Sequence, residues 1–580
     1  MRFSFNILCA LIICSGINFM NAMSNKDITI LPINNAKFLA GQRFDFLVEI
    51  RDSNLNLANT RVAIRVTIND KNITEYFNKS PKIWRDGDIV SYRIDSVSFN
   101  DIGNIKVKVK TPNATRIAQY EVVSQKASRK AKNVILLIGD GMSLQAKQMA
   151  RILSKGINEG KYNDVLEMEK LDRMALITTS GYDSLTTDSA NSASAYATGH
   201  KSVVNAMGVY EDSTKNPFDD PKVENIAEIL KRQTKKSIGL ITTANITDAT
   251  PAAFVAHTRR RSEQNMIAQS YLDLGVDVLL GGGLQHFIPK EAKGSKRKDS
   301  LNLIESYKNV GYEFSSTREE LLAQAKSAKK LLGLYHNDNL NVYLDREVLK
   351  NPKVLGNFKN QPSLLDMTNV ALEVLSKNKS GFFLMIEGAS IDKQLHKMDW
   401  QRATYDTIEF DKAVKIARDF AAKRGDTFVI VVADHAHGAS ITGTYHELDG
   451  KSGREAVRTY AHSVFPTFVD NDNDGFPDDP NPEVTLAVQY ANHPDYKADY
   501  RLKTEPISPT IEHNGKNIAN PNMKGETYRG NIPEKEDQEV HAADDVVLMS
   551  EGIGSEYFKG VMDNTEVFFA MMRAFGIDGK

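Results

Sequence analysis

From Ile28 to about Val123, apolar and polar positions alternate with a period of two. FDFLVEI (44–50), RVAIRVTI (61–68), VSYRI (90–94), NIKVKVK (104–110) and AQYEVV (118–123) read as strands with one wet face. NKS, RDGD, NDIGN and TPN punctuate them as turns. This predicts a small antiparallel β-sandwich of the immunoglobulin-like kind, placed at residues 23–126. The segment SQKASRKAKN (124–133) is polar and basic, and reads as a linker.

After Asn133 the pattern changes. VILLI (134–138), SIGLITT (237–243), FFLMI (382–386) and FVIVVA (428–433) are near-continuous apolar runs, each ending in a polar turn. Helical stretches such as VENIAEILKR (223–232) and DMTNVALEVLSK (366–377) lie between them. Buried strands alternating with helices predict an α/β domain over residues 127–580: a large central, mostly parallel sheet with helices on both faces. The loop-rich stretch at about 438–540 reads as an insertion outside that sheet.

Ligands of such folds bind beyond the carboxyl ends of the strands. The first run ends in GDGM, with Asp140 at its tip, and the last in ADHAHG, with Asp434 and His435. EGASIDKQLH follows the third, with Glu387 at the tip; Asp392 and His396 share a face if a helix starts there. ANITDATP follows the second and supplies Asp248 and Thr250. Carboxylates and histidines at the tips of several strands point to metal binding. Mixed Asp and His sets suit zinc, and all-oxygen sets suit magnesium. His257, in FVAHTRR, reads as structural rather than as a ligand. In TTDSANSASAYATGHKS (186–202), Ser189 stands at the start of a small-residue helix, in a field that favours anions; a helix cap at Asp188 or Ser189 is the plainer alternative.

Composition narrows the class. The chain has 580 residues, 41% hydrophobic and 25% charged, which excludes a disordered or collagen-like protein. Its net charge of -1 argues against a nucleic-acid partner, while leaving room for a local cationic pocket. Both cysteines, Cys9 and Cys14, lie in an apolar stretch after Arg2, laid out like a signal peptide (1–22). Its cleavage would leave a cysteine-free chain without a long apolar run, so the expected location is the periplasm or the extracellular space, with no stable membrane span.

Six separated segments resemble alkaline phosphatases: NVILLIGDGM, TTDSANSASAYATGHKS, TTANITDATPAAFVAHTRRR, MIEGASIDKQLH, VIVVADHAHG and EVHAAD. The resemblance implies hydrolysis of small-molecule phosphate monoesters, with Ser189 as the nucleophile that becomes phosphoserine. It implies Asp392, His396 and His541 as ligands of one zinc, and Asp140, Asp434 and His435 as ligands of a second. Asp140, Thr250 and Glu387 would bind one magnesium, with Asp248 and Lys393 supporting the magnesium and the phosphate. Arg261 aligns with the phosphate-clamping arginine, beside Arg259 and Arg260. A homodimer is also implied, although the extra domain and the insertion stand to cover the usual dimer surface.

Two features depart from the compact members of that family. The sandwich is extra, and docking on the catalytic domain is its plainest role. The His435-to-His541 gap is long and contains VDNDNDGFPDDPNPE (469–483). There Asp470, Asp472, Asp474 and Asp478 fit the start of a calcium loop, although Asn481 stands where an EF-hand places Glu. The nearest rival functions are a phosphodiesterase or sulfatase of the same superfamily. A non-catalytic surface-binding protein is the rival from another class, and the intact ligand set argues against it.

Overall fold

In the computed structural model, the described residues are 27–51, 64–446, 457–458, 465–478, 482–491, 510–514, 516–519, 521–522 and 538–580. The expected signal peptide and most of the insertion lie outside them.

The amino-terminal part is a sandwich of two sheets. One has four strands, in the order Ile28–Leu31, Arg43–Arg51, Ile89–Ser98, Lys82–Asp86; the other has five, in the order Lys37–Leu39, Thr115–Val123, Gly103–Lys110, Arg65–Ile68, Lys71–Asn72. Alternation explains the faces. In Gly103–Lys110, Ile105, Val107 and Val109 are buried, while Lys106 and Lys110 are exposed.

The rest is built on a ten-stranded sheet. Its four central strands run Ser237–Asn245, Phe382–Gly388, Asn133–Gly139, Thr427–Ala433, all parallel. Every residue of the last three is buried, as a sheet covered on both faces requires. Gly139 pairs with both Gly388 and Ala433, so the three chains leave the sheet at the same level. Val546–Gly552 is the exception in direction, running antiparallel between Thr427–Ala433 and Arg173–Thr178. The insertion contains more strand than its loop-rich sequence suggests. Ala439–His446 pairs with Val484–Tyr490 and Val457–Arg458 in a separate three-stranded sheet. No helix among the described residues is long and apolar enough to cross a membrane.

The sandwich docks firmly on the sheet domain. Val223 bridges to Phe44, and Tyr210 and Val223 are buried in the sandwich's own apolar core. Phe38 meets the His200 ring edge-on at 4.6 Å. Buried Gln42 donates from Nε2 to the carbonyls of Thr198 (2.8 Å) and Glu224 (2.9 Å). Thr198 is the last residue of the helix Ser189–Thr198, so the sandwich satisfies a carbonyl that the helix leaves unpaired.

Candidate active site

The site lies where the central strands end. Asp140 follows Asn133–Gly139, and Asp434 and His435 follow Thr427–Ala433; all three are buried. The strand Phe382–Gly388 gives way to the helix Ser390–His396, which carries Asp392, Lys393 and His396. A four-residue spacing on one helix face brings His396 Nε2 to 3.4 Å from Asp392 Oδ1. His541 arrives from far along the chain. Its two-residue strand pairs with Ala436–His437, setting His541 opposite His437.

Ser189 is the first residue of its helix, behind the cap Asp188, whose side chain accepts from Asn191 N. Capping and helix start therefore fall on separate residues. Ser189 Oγ lies 3.3 Å from both Asp140 Oδ1 and His435 Nε2. The helix's free N–H groups and its dipole favour an anion at this end.

Two groups of side chains point ligand atoms at a common centre: Asp392, His396, His437 and His541 in one, and Asp140, Asp392 and His435 in the other. Hydrogen bonds fix the histidine tautomers. His396 Nδ1 donates to the Glu539 carbonyl (2.7 Å), and His541 Nδ1 donates to the Thr187 carbonyl (2.8 Å). Both Nε2 atoms then face each other as bare lone pairs 2.9 Å apart, with Asp392 Oδ1 3.3 Å from that of His541. Two imidazole lone pairs that meet with no donor between them, beside a carboxylate, fit a cation. Asp434 Oδ2 and Thr250 Oγ1 are buried with no hydrogen-bond partner, which fits further ligand positions. Burial, then repulsion from Asp140, pushes the carboxyls of Asp434 and Glu387 up, so this carboxylate cluster is short of positive charge. Burial alone would also raise Asp392, but the hydrogen bond from His437 holds it well below the usual carboxylate range.

Glu387 accepts from Thr242 Oγ1 near this cluster. Asp248 caps the short helix Ala249–Ala252, which carries Thr250. Asp248 bonds Lys393 Nζ at 2.7 Å and Arg261 at 2.8 Å, and these two cations overcome its burial to keep it ionised. Arg261 Nη1 also reaches Asp188 Oδ2 at 3.1 Å. The neighbouring arginines do not approach Ser189's cap in this way. Arg259 is tied to Asp212 and Asp220, and Arg260 is exposed.

His437 is the residue that the sequence reading passed over. Buried and 2.6 Å from Asp392 Oδ1, it completes the histidine cluster. Its signal was the HAH triplet, since residues two apart on an extended chain share a side. Of the acidic loop, Asp470, Asp472 and Asp478 come together. Asp474 does not join them: its Oδ1 accepts from Phe476 N in a local turn. Asn481 lies outside the described residues.

His257 is structural. Nδ1 bonds the Gly208 carbonyl at 2.8 Å, and Nε2 bonds Glu228 at 2.9 Å. A Cβ on Gly208, at φ +63°, would fall 2.6 Å from that ring. Burial opposes the imidazolium, but Glu228 outweighs it and raises the His257 pKa, while His257 helps lower that of Glu228. A raised histidine pKa gives stability that is fully present below its unfolded value and lost as pH rises through its folded value. His257→Gln is thus expected to destabilise by about 3 kcal/mol at pH 6, where Glu228 is still ionised, and by less at pH 10. Thermal unfolding of both proteins across that range checks this; a pH-independent difference would refute it.

Comparison with known proteins agrees with this geometry. The family model described as alkaline phosphatase matches residues 131–577. Alkaline phosphatase 4 of Bacillus subtilis is 31% identical over 468 residues, covering 78% of this chain and 90% of that protein. The alkaline phosphatase of Escherichia coli is 33% identical over 378 residues, 58% of this chain and 78% of that protein. Among solved structures, the alkaline phosphatase of the Antarctic bacterium TAB5 shares the fold with a TM-score of 0.52 at 24% identity, covering 77% of this chain and 98% of that one. The Thermus thermophilus enzyme does so with a TM-score of 0.55 at 22% identity, covering 78% and 93%. With most of the chain matched and a serine among carboxylates and histidines at the strand tips, the chain belongs to the alkaline phosphatase family and is a phosphatase acting on phosphate monoesters.

Proposed function

We propose that this is an exported, metal-dependent phosphomonoesterase working through a phosphoserine at Ser189. The observation that carries the reading is Ser189 Oγ, at a helix N-terminus, 3.3 Å from Asp140 and His435 and beside two converging ligand sets. Asp392, His396 and His541 would hold one zinc, Asp140, Asp434 and His435 a second, and Asp140, Thr250 and Glu387 a magnesium. When bound, these ions supply positive charge that offsets the attacking and leaving oxygens of an in-line displacement.

The chain's own residues account for the rest. Arg261, its guanidinium oriented by Asp188 and Asp248, offers a fork to two nonbridging phosphate oxygens. Ser189 gives up its hydroxyl proton to solvent and Oγ forms a bond to phosphorus as the ester P–O bond breaks, and the alcohol leaves with a proton from solvent. Water then attacks the phosphoserine from the side the alcohol vacated and loses a proton, and the Oγ–P bond breaks, with Oγ regaining a proton as phosphate is released. Two inversions leave the configuration at phosphorus retained. Lys393 and Asp248 keep the neighbouring charge in place, and His437 orients Asp392.

The division into a signal peptide (1–22), an immunoglobulin-like sandwich (23–126) and a catalytic domain (127–580) belongs to the same reading. So does calcium at Asp470, Asp472 and Asp478, ordering the insertion rather than taking part in the chemistry. Hydrolysis of p-nitrophenyl phosphate before and after exhaustive chelation tests the metal dependence. Activity is expected to fall below about 1% and to return with zinc and magnesium, at two zinc and one magnesium per chain. Undiminished turnover by a protein shown to be metal-free would sink the reading.

A further inference from the structure

The basic character of the site continues past the phosphate clamp. A cleft of about 570 Å³ is lined by Arg261 itself together with Lys215, Arg260 and Ser262. A second cleft of about 510 Å³ shares Ser262 and reaches Lys296 and Lys298. The two clefts meet at Ser262, next to the clamp residue Arg261, and are taken together as one trough.

Its cations fall into two kinds. Arg259, Arg261 and Arg297 are held by carboxylates: Asp212 and Asp220, Asp188 and Asp248, and Asp299. Lys215, Arg260, Lys296 and Lys298 have no acidic partner among the described residues. The lining acids are few. Glu211 lies 3.4 Å from Arg259, Asp299 is taken by Arg297, and Glu263 remains. Like charges gathered without counterions repel one another, and an anionic ligand relieves that repulsion. The concentration is local, because the whole chain is balanced at a net charge of -1. The mounting is also rigid. Arg260 N donates to Thr258 Oγ1 (3.1 Å), and Arg261 N donates to the carbonyl of Asn205 (3.0 Å), whose own N–H donates to Asp188. The wall of the trough and the cap of the Ser189 helix are thereby one hydrogen-bonded unit.

We propose that this trough is a second anion-binding subsite and that the preferred substrates are small esters carrying two or more phosphate groups. One phosphate lies at Ser189 under Arg261. The next is gripped by the Arg260 fork and the Lys215 ammonium, and Lys296 and Lys298 receive groups farther out. The inference rests on the reading of Ser189 and Arg261 given above.

The test is a ratio internal to each protein. The metal-loaded full chain and its Lys215→Gln/Arg260→Gln variant are assayed with glucose 6-phosphate and glucose 1,6-bisphosphate. In the wild type, kcat/KM is expected to favour the bisphosphate by about tenfold, through a lower KM, with the preference fading as salt rises. In the variant the ratio falls to about two, the factor expected from two ester groups alone. Because a ratio is read, partial loss of active protein does not disturb it. An equal ratio in both proteins, or no preference in the wild type, overturns the subsite. A wild type that leaves both sugars and p-nitrophenyl phosphate intact overturns the phosphoserine reading instead, and the subsite with it.

Discussion

Ser189→Ala is expected to lower kcat for p-nitrophenyl phosphate by about a thousandfold or more, the scale seen when a covalent nucleophile is removed. The physical case is specific to this helix. Asp188, not Ser189, caps it through Asn191 N, and alanine is the best helix former, so the substitution leaves the backbone in place. The lost atom is the one lying between Asp140 and His435. Arg261 and the helix N-terminus would still bind phosphate, so KM should change far less than kcat. A covalent readout separates the nucleophile from a bystander: incubation with phosphate at mildly acid pH should add the mass of one phosphoryl group, phosphate less water, to the wild type and nothing to the variant. A variant that still takes up phosphate covalently would remove Ser189 from the reaction.

Asp392→Asn should be the second most damaging change. Three histidines bring Nε2 to Asp392 Oδ1, at 2.6 Å for His437, 3.3 Å for His541 and 3.4 Å for His396. The carboxylate supplies the negative charge that faces all three Nε2 atoms, and it belongs to both ligand sets. An amide removes that charge and can turn N–H donors toward nitrogens that need to accept. Zinc retained after dialysis is expected to drop, and activity to fall by more than the roughly 10–100-fold typical of losing a residue that only orients a ligand. Full zinc content in the variant would show that Asp392 is not a ligand.

The sequence made the centre of the molecule legible. The four apolar runs it singled out are neighbours in the sheet, because strands buried on both faces have no polar residue to interrupt them. The strand-tip acids followed from that, and Asp392 and His396 followed from helical spacing. The margins stayed hidden. Glu313–Ser315 and Val561–Asp563 are too short to show periodicity, and Val546–Gly552 owes its place to pairing with strands far away in sequence. In the sandwich, Lys82–Asp86 mixes charged and apolar residues at a sheet edge, where no side need be dry. His541 was placed by the family motif alone, and only the bridge to His437 explains how a distant residue returns to the site.

The borrowed side chains of the sandwich set an order of events during synthesis. A ribosome that has finished Thr115–Val123 has made every strand of the sandwich, yet Tyr210 and Val223, which pack into its core, are still about a hundred codons away. Until they emerge, Phe38 and Phe44 sit at an unfinished apolar seam. The first-made module is therefore completed by a later one, and the nascent chain carries a sticky aromatic face through that interval.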